Sequence, residues 1–99
     1  MMWRHGDVLI AAAPALPPGA KRRTDPVLMR GELTGHSHRI ELPETAELWD
    51  SGQELFVRVV AESARVVHQE HAPITLPRGL YRVWQQREYT PGMIRPVRD

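Results

Sequence analysis

Leu55-Phe56-Val57-Arg58-Val59-Val60, followed after Ala61-Glu62-Ser63 by Ala64-Arg65-Val66-Val67-His68, is the stretch on which the fold class turns. Its first half is alternating and β-branched, which suits a pleated strand with one face in a core. Its second half reads as another strand, paired with the first through Ala61-Glu62-Ser63. Toward the C-terminus, Pro73 and Pro77 bracket Ile74-Thr75-Leu76, and Gly79 opens a last long strand over residues 80–89. The tail beyond Pro91-Gly92 is expected to be extended. Toward the N-terminus, Asp50-Ser51-Gly52 is a turn and residues 46–49 a short strand. Pro43 ends a strand over residues 36–42, Gly35 marks a bulge or tight bend, and residues 27–33 form the strand before it. Residues 8–12 read as a buried opening strand, closed by Pro14 and Pro17-Pro18-Gly19. The one stretch with a helical alternative is residues 44–49, where Pro43-Glu44 could start a turn. About seven or eight short strands punctuated by turn signals predict an all-β barrel or sandwich. We read residues 1–99 as one domain, with no internal repeat.

Composition narrows the function classes. A chain of 99 residues is one small domain, and it buries roughly 60–65% of the surface its unfolded form exposes, so the core is thin. Self-association is therefore expected, because pairing would bury more apolar surface. Nine prolines and seven glycines run through the whole length and leave little room for an ordinary helix. The net charge of +1 provides no field to gather nucleic acid or an acidic membrane. There is no cysteine, so disulfides and thiolate sites are excluded, and any metal must be held by imidazole, carboxylate or water. Residues 8–16 imitate a targeting signal, but Asp7 interrupts the approach to it, Pro14 breaks the run, and it falls far short of the ~20 residues that span a bilayer. A cytoplasmic protein without a membrane segment is the expectation.

Four histidines fall into two tight pairs, His36-Ser37-His38 and His68-Gln69-Glu70-His71. Alternate residues of a strand share a face, so His36 and His38 point the same way, together with Ile40 and Leu42. Ser37, Arg39 and Glu41 take the other face, so the pair is expected to point inward. Imidazoles in a dry place need partners for their ring nitrogens. A shared metal satisfies both, and imidazole suits zinc, iron, nickel and copper. Strand parity puts His68 and Glu70 on one face and His71 on the other, but parity weakens as the strand ends before Pro73. His68 with Glu70, or Glu70 with His71, would complete the site. Three protein ligands plus water suit catalysis, with Glu70 as ligand or general base, whereas four closed ligands suit a structural site. His5 lies outside both pairs and is read as ordinary.

Gly35-His36-Ser37-His38, following Glu32, resembles the first motif of cupins, and Pro77-Arg78-Gly79 looks like the P-x-G turn of the second. The resemblance covers about half the chain and implies a cupin-like small β-barrel with a metal on the H-x-H strand. It carries over His36 and His38 as ligands, with His71 as the third. The chain departs from the pattern in two places. Glu41 lies only three residues after His38 and is turned away by parity, and Tyr81 and Arg82 stand where the later cupin histidine would be.

The stretch from Tyr81 to Tyr89 interleaves aromatics with Arg82 and Arg87. Such a surface suits stacking on single-stranded nucleic acid, a subunit interface, or a solvated edge strand. Three functional readings follow. The first is a metal-binding β-barrel, as a small metal-dependent enzyme acting on a small-molecule substrate. The second is a non-catalytic accessory subunit for a protein partner, braced by a histidine cluster. The third, ranked last among them because the net charge is near zero, is an RNA-binding or RNA-cleaving protein.

Overall fold

Ten strands and no α-helix are present among the described residues. The computed structural model describes residues 2–30, 35–52, 54–90 and 93–96, with only the backbone of 87–90 and 93–96. The strands are β1 (Met2–His5), β2 (Val8–Ala12), β3 (Lys21–Arg22), β4 (Val27–Arg30), β5 (Ser37–Ile40), β6 (Ala46–Asp50), β7 (Leu55–Val67), β8 (Ile74–Gln85), β9 (Arg87–Thr90) and β10 (Met93–Pro96). The first eight form one antiparallel sheet in the order β1-β2-β8-β7-β5-β4, with β6 on β7 and β3 on β6, while β9 and β10 pair separately. The all-β expectation holds. The helical alternative for residues 44–49 reduces to a single 3-10 turn, Pro43–Thr45. The strand expected over residues 27–33 is present over Val27–Arg30, and the rest of that stretch, with Glu32, lies outside the described residues, as do Pro91-Gly92. No helix among the described residues is long and apolar enough to cross a membrane.

β7 and β8 organise the sheet. The sequence predicts a turn at Ala61-Glu62-Ser63, but β7 runs through it unbroken and pairs with β8 from Leu55↔Val83 to Val66↔Ile74. Between Val59↔Gly79 and Ser63↔Pro77 the register slips: β7 advances four residues while β8 advances two. The surplus is a bulge, which bends a strand without reversing it. Pro77 offers no N–H, and it falls where the ladder is already interrupted. The Tyr81 hydroxyl donates to the Pro77 carbonyl at 2.6 Å and ties the irregular segment to the core. β7 carries β8 along one side, and on the other it carries β6 near its start and β5 near its end. The strand beginning near Gly79 is thus the second half of β8. It is central rather than an edge, flanked by β2 and β7.

Inward-facing residues follow the strand period. Val8 and Ile10 of β2, Ile40 of β5, Val57 and Val66 of β7 and Leu76 of β8 are all fully buried in one core. On a flat sheet, β1 and β5 would lie four strand steps apart, about 19 Å. Yet the side chains of His5 and His38 meet at 2.9 Å, so the sheet curls until its limbs face each other. Leu42 departs from its expected inward placement and is 52% exposed. β5 ends at Ile40 and the chain turns into the 3-10 turn at Pro43, so alternation stops before it reaches Leu42.

Ile40→Ala should cost about 2–5 kcal/mol of unfolding free energy, and Leu42→Ala no more than about 0.5 kcal/mol. Urea denaturation of the two variants side by side checks both the core and the place where strand parity ends.

Candidate functional site

Three segments deliver the histidines to the interior between the limbs of the sheet. The first is the β1–β2 hairpin, in which His5 pairs with Val8 across a two-residue turn, Gly6-Asp7. Gly6 has φ +63°, the left-handed conformation that tight hairpins ask of their first turn residue, and glycine alone adopts it without strain. The turn leaves both flanking polar residues inside: His5 is buried, and Asp7 is 1% exposed. The second segment is β5, where His38 shares the inner face with Ile40 and is 0% exposed. The third is the connection from β7 to β8, which carries His68 and His71.

The four histidines singled out in the sequence come together here. The His38 ring lies 4.3 Å from that of His68 and 5.8 Å from that of His71, nearly parallel to the latter. His68 and His71 are 4.5 Å apart, and His36 lies 5.4 Å from His68. His36 and Glu70 occupy the rim, with His36 Nδ1 3.6 Å from Glu70 Oε1 and the Glu70 side chain 53% exposed. The backbone N–H of Glu70 donates to His68 Nδ1 at 3.0 Å. His68 also borders a surface pocket with Arg39, Val67 and Gln69. Glu41 points elsewhere, as parity requires, and pairs with Arg65 at 3.3 Å.

Two members of the site escaped the sequence reading. His5, read there as ordinary, is inside the cluster. Its ring is 5.0 Å from that of His38 and 5.7 Å from that of His71. Asp7 is the second, its Oδ1 3.2 Å from His38 Nε2. A usable signal existed: two polar residues flank a glycine at the mouth of a strand that reads as buried. It was not decisive, because nothing local says that the hairpin faces β5.

The hydrogen bonds fix the ring tautomers. The carbonyl of Ala72 can only accept, so His5 Nε2, 2.9 Å away, carries a proton. Neutral His5 then accepts at Nδ1, and the partner at 2.9 Å, His38 Nδ1, donates. Neutral His38 is left with a bare lone pair on Nε2, on the side of Asp7. The other oxygen of Asp7, Oδ2, accepts from the Gln85 amide, and its backbone carbonyl accepts from the Gln86 N–H at 2.8 Å. Asp7 Oδ1, His38 Nε2 and His71 Nε2 are buried without a hydrogen-bond partner among the described residues. The first two approach each other without the alignment of a hydrogen bond. No three His, Asp or Glu groups among the described residues are already arranged around one point as a metal site.

Burial disfavours charge on these rings. It pushes His38 down to about 4, reinforced by the neighbouring imidazoles of His68, His5 and His71 and partly opposed by Asp7. Burial likewise lowers His5, against the hydrogen bond to Ala72 and together with His71 and His68.

Residues 4–86 match the model of a family described as a domain of unknown function, DUF8820. The chain belongs to this family. The DUF8820 span takes in Asp7 and all five histidines and stops before β9. No curated protein and no solved structure matches the chain.

Two outcomes follow from this geometry. A Cβ on residue 6 would stand 2.6 Å from His71 Nε2 and 3.1 Å from His38 Cε1, in a backbone conformation that L-residues resist. Gly6→Ala should therefore destabilise the domain by about 1–2 kcal/mol, and thermal melts together with the His71 ring resonances would register strain and displacement. The pH response follows from the lowered His38. Between pH 6.5 and about 4 the unfolded chain binds a proton that the folded ring refuses, so stability rises with pH through that window. The contribution is complete above pH 6.5 and disappears as pH falls through about 4, on the order of 3 kcal/mol for metal-free protein. Denaturant titrations at stepped pH, with His38→Phe flattening the slope, check it.

Proposed function

We infer that this DUF8820 protein binds a divalent transition metal ion, such as zinc, iron, nickel or copper, with His38 and His71 as its principal imidazole donors. The observation that carries the reading is a gathering of five imidazoles, two of which keep a buried Nε2 with no hydrogen-bond partner among the described residues. A buried nitrogen lone pair without a partner costs about 1–3 kcal/mol, and several side by side are more expensive than an apolar core. A metal ion turns that cost into bonds, and imidazole is a common donor for these ions. His38 also has the outer support expected of a ligand: its Nδ1–H is held by His5, which is held in turn by the Ala72 carbonyl. Bound there, the ion would supply Lewis-acid chemistry. Because the donors are not assembled beforehand, closure of the β7–β8 connection on the ion is part of the proposal.

One observation favours a second reading, a non-catalytic domain braced by histidines alone. The His5 ring bridges His38 of β5 and Ala72 of the β7–β8 connection without any ion. Metal content separates the two. Protein prepared without a histidine tag is expected to take up one equivalent of zinc in isothermal titration calorimetry, with elemental analysis agreeing. His38→Ala and His71→Ala are each expected to abolish that equivalent. A wild-type protein that takes up no metal, and whose His38→Ala variant loses only stability, would establish the bracing network instead.

A further inference from the structure

We propose that the carboxylate of Asp7 is the third ligand, so that Asp7 Oδ1, His38 Nε2 and His71 Nε2 form a two-histidine, one-carboxylate site with His5 as its positioning residue. This deepens the metal-binding reading and rests on it, while replacing the outer residues His36, His68 and Glu70 as inner ligands.

Asp7 is 1% exposed and His38 0%. A carboxylate so buried is ordinarily paired or bound to metal. Among the described residues, the side chain hydrogen-bonded to it is Gln85, through Oδ2. Oδ1 instead faces His38 Nε2, whose proton has been drawn to Nδ1 by the His5–Ala72 chain. A lone pair and an anionic oxygen confront each other at 3.2 Å with no hydrogen bond between them. A cation that both lone pairs can address removes the conflict. Two donors each about 2.0–2.2 Å from one metal ion stand about 3.0–3.5 Å apart along an edge of the coordination polyhedron, and the observed separation falls in that interval.

Space and rigidity agree with this assignment. Gly6 lies under the rings, and the absence of its Cβ leaves His71 Nε2 and His38 Cε1 room to approach. Gln85 and Gln86 hold the Asp7 side chain and backbone, so the carboxylate is set before the ion arrives. Asp7 and His38 are the fixed edge, and His71, on the connection ahead of Pro73, closes onto the ion. The outer residues are engaged otherwise: His68 Nδ1 accepts the Glu70 N–H, and His36 faces the exposed Glu70 carboxylate. Mixed nitrogen and oxygen donors suit zinc or ferrous iron, and less well copper(I), which prefers thiolates and thioethers.

The test uses full-length protein and zinc as the probe. In long-range proton–nitrogen spectra, zinc should shift Nε2 of His38 and of His71, keep the proton on His5 Nε2, and leave the ring nitrogens of His36 and His68 nearly unmoved. In calorimetry, Asp7→Asn, which keeps an amide oxygen for Gln85, should weaken zinc at least about 100-fold, beyond the usual effect of an outer-shell change. Glu70→Gln and His36→Ala should change it by less than about threefold. His5→Phe should weaken zinc about 10–100-fold, as an outer-shell loss does, while His38 Nε2 still shifts. Zinc that binds the wild type and shifts His36 or His68, or that tolerates Asp7→Asn but not Glu70→Gln, overturns the ligand set and leaves metal binding intact. A wild-type protein that takes up no zinc or ferrous iron overturns both readings. Because the spectra are recorded on wild type, a variant that fails to fold does not obscure the result.

Discussion

An imidazole and a carboxylate face each other in the interior of this domain at 3.2 Å, neither making a hydrogen bond to the other. The imidazole holds its proton on the far side because a second histidine and a backbone carbonyl draw it there. Burial and three neighbouring imidazoles make a second proton unwelcome. The hairpin, the β7–β8 connection and β5 converge on this pair.

Convergence depends on how the sheet bends. A flat sheet would separate β1 from β5 by about 19 Å, and the imidazoles of His5 and His38 could not touch. The surplus residues of β7, opposite Arg78, bend the long pair. Gly6 adds a second constraint, because its positive φ suits a two-residue reversal and its missing side chain leaves room for the rings of His71 and His38. A turn of another type or length would change the register of β1 on β2 and carry His5 to the opposite face.

Much of the fold was legible in the chain. The apolar run at 8–12 marked a strand at its observed bounds, residues 46–49 came within one residue of β6, and alternation in residues 55–60 marked the first half of β7. Errors arose where local signals imitate one another. Ala61-Glu62-Ser63 reads as a turn because small and polar residues serve turns and bulges alike, and only the presence of β8 alongside decides between them. Pro77 and Gly79 read as strand breakers for the same reason, although β8 passes through both at the irregular segment. Leu42 reads as core because alternation cannot announce where it stops.

The site divides along the same line. Sequence by itself determined that imidazoles would supply the chemistry, since no cysteine is present, and that His36 with His38 and His68 with His71 would come in pairs. Spacing of two on a strand and three in a connection is local geometry, and local geometry survives folding. What only the tertiary structure decided is which nitrogen of which ring faces which oxygen. The nearness of His5 and Asp7 to His38 spans more than thirty residues of chain and four strand steps. It arises from the curvature of the whole sheet, and curvature is a sum of twists, bulges and packing that no single stretch of sequence encodes.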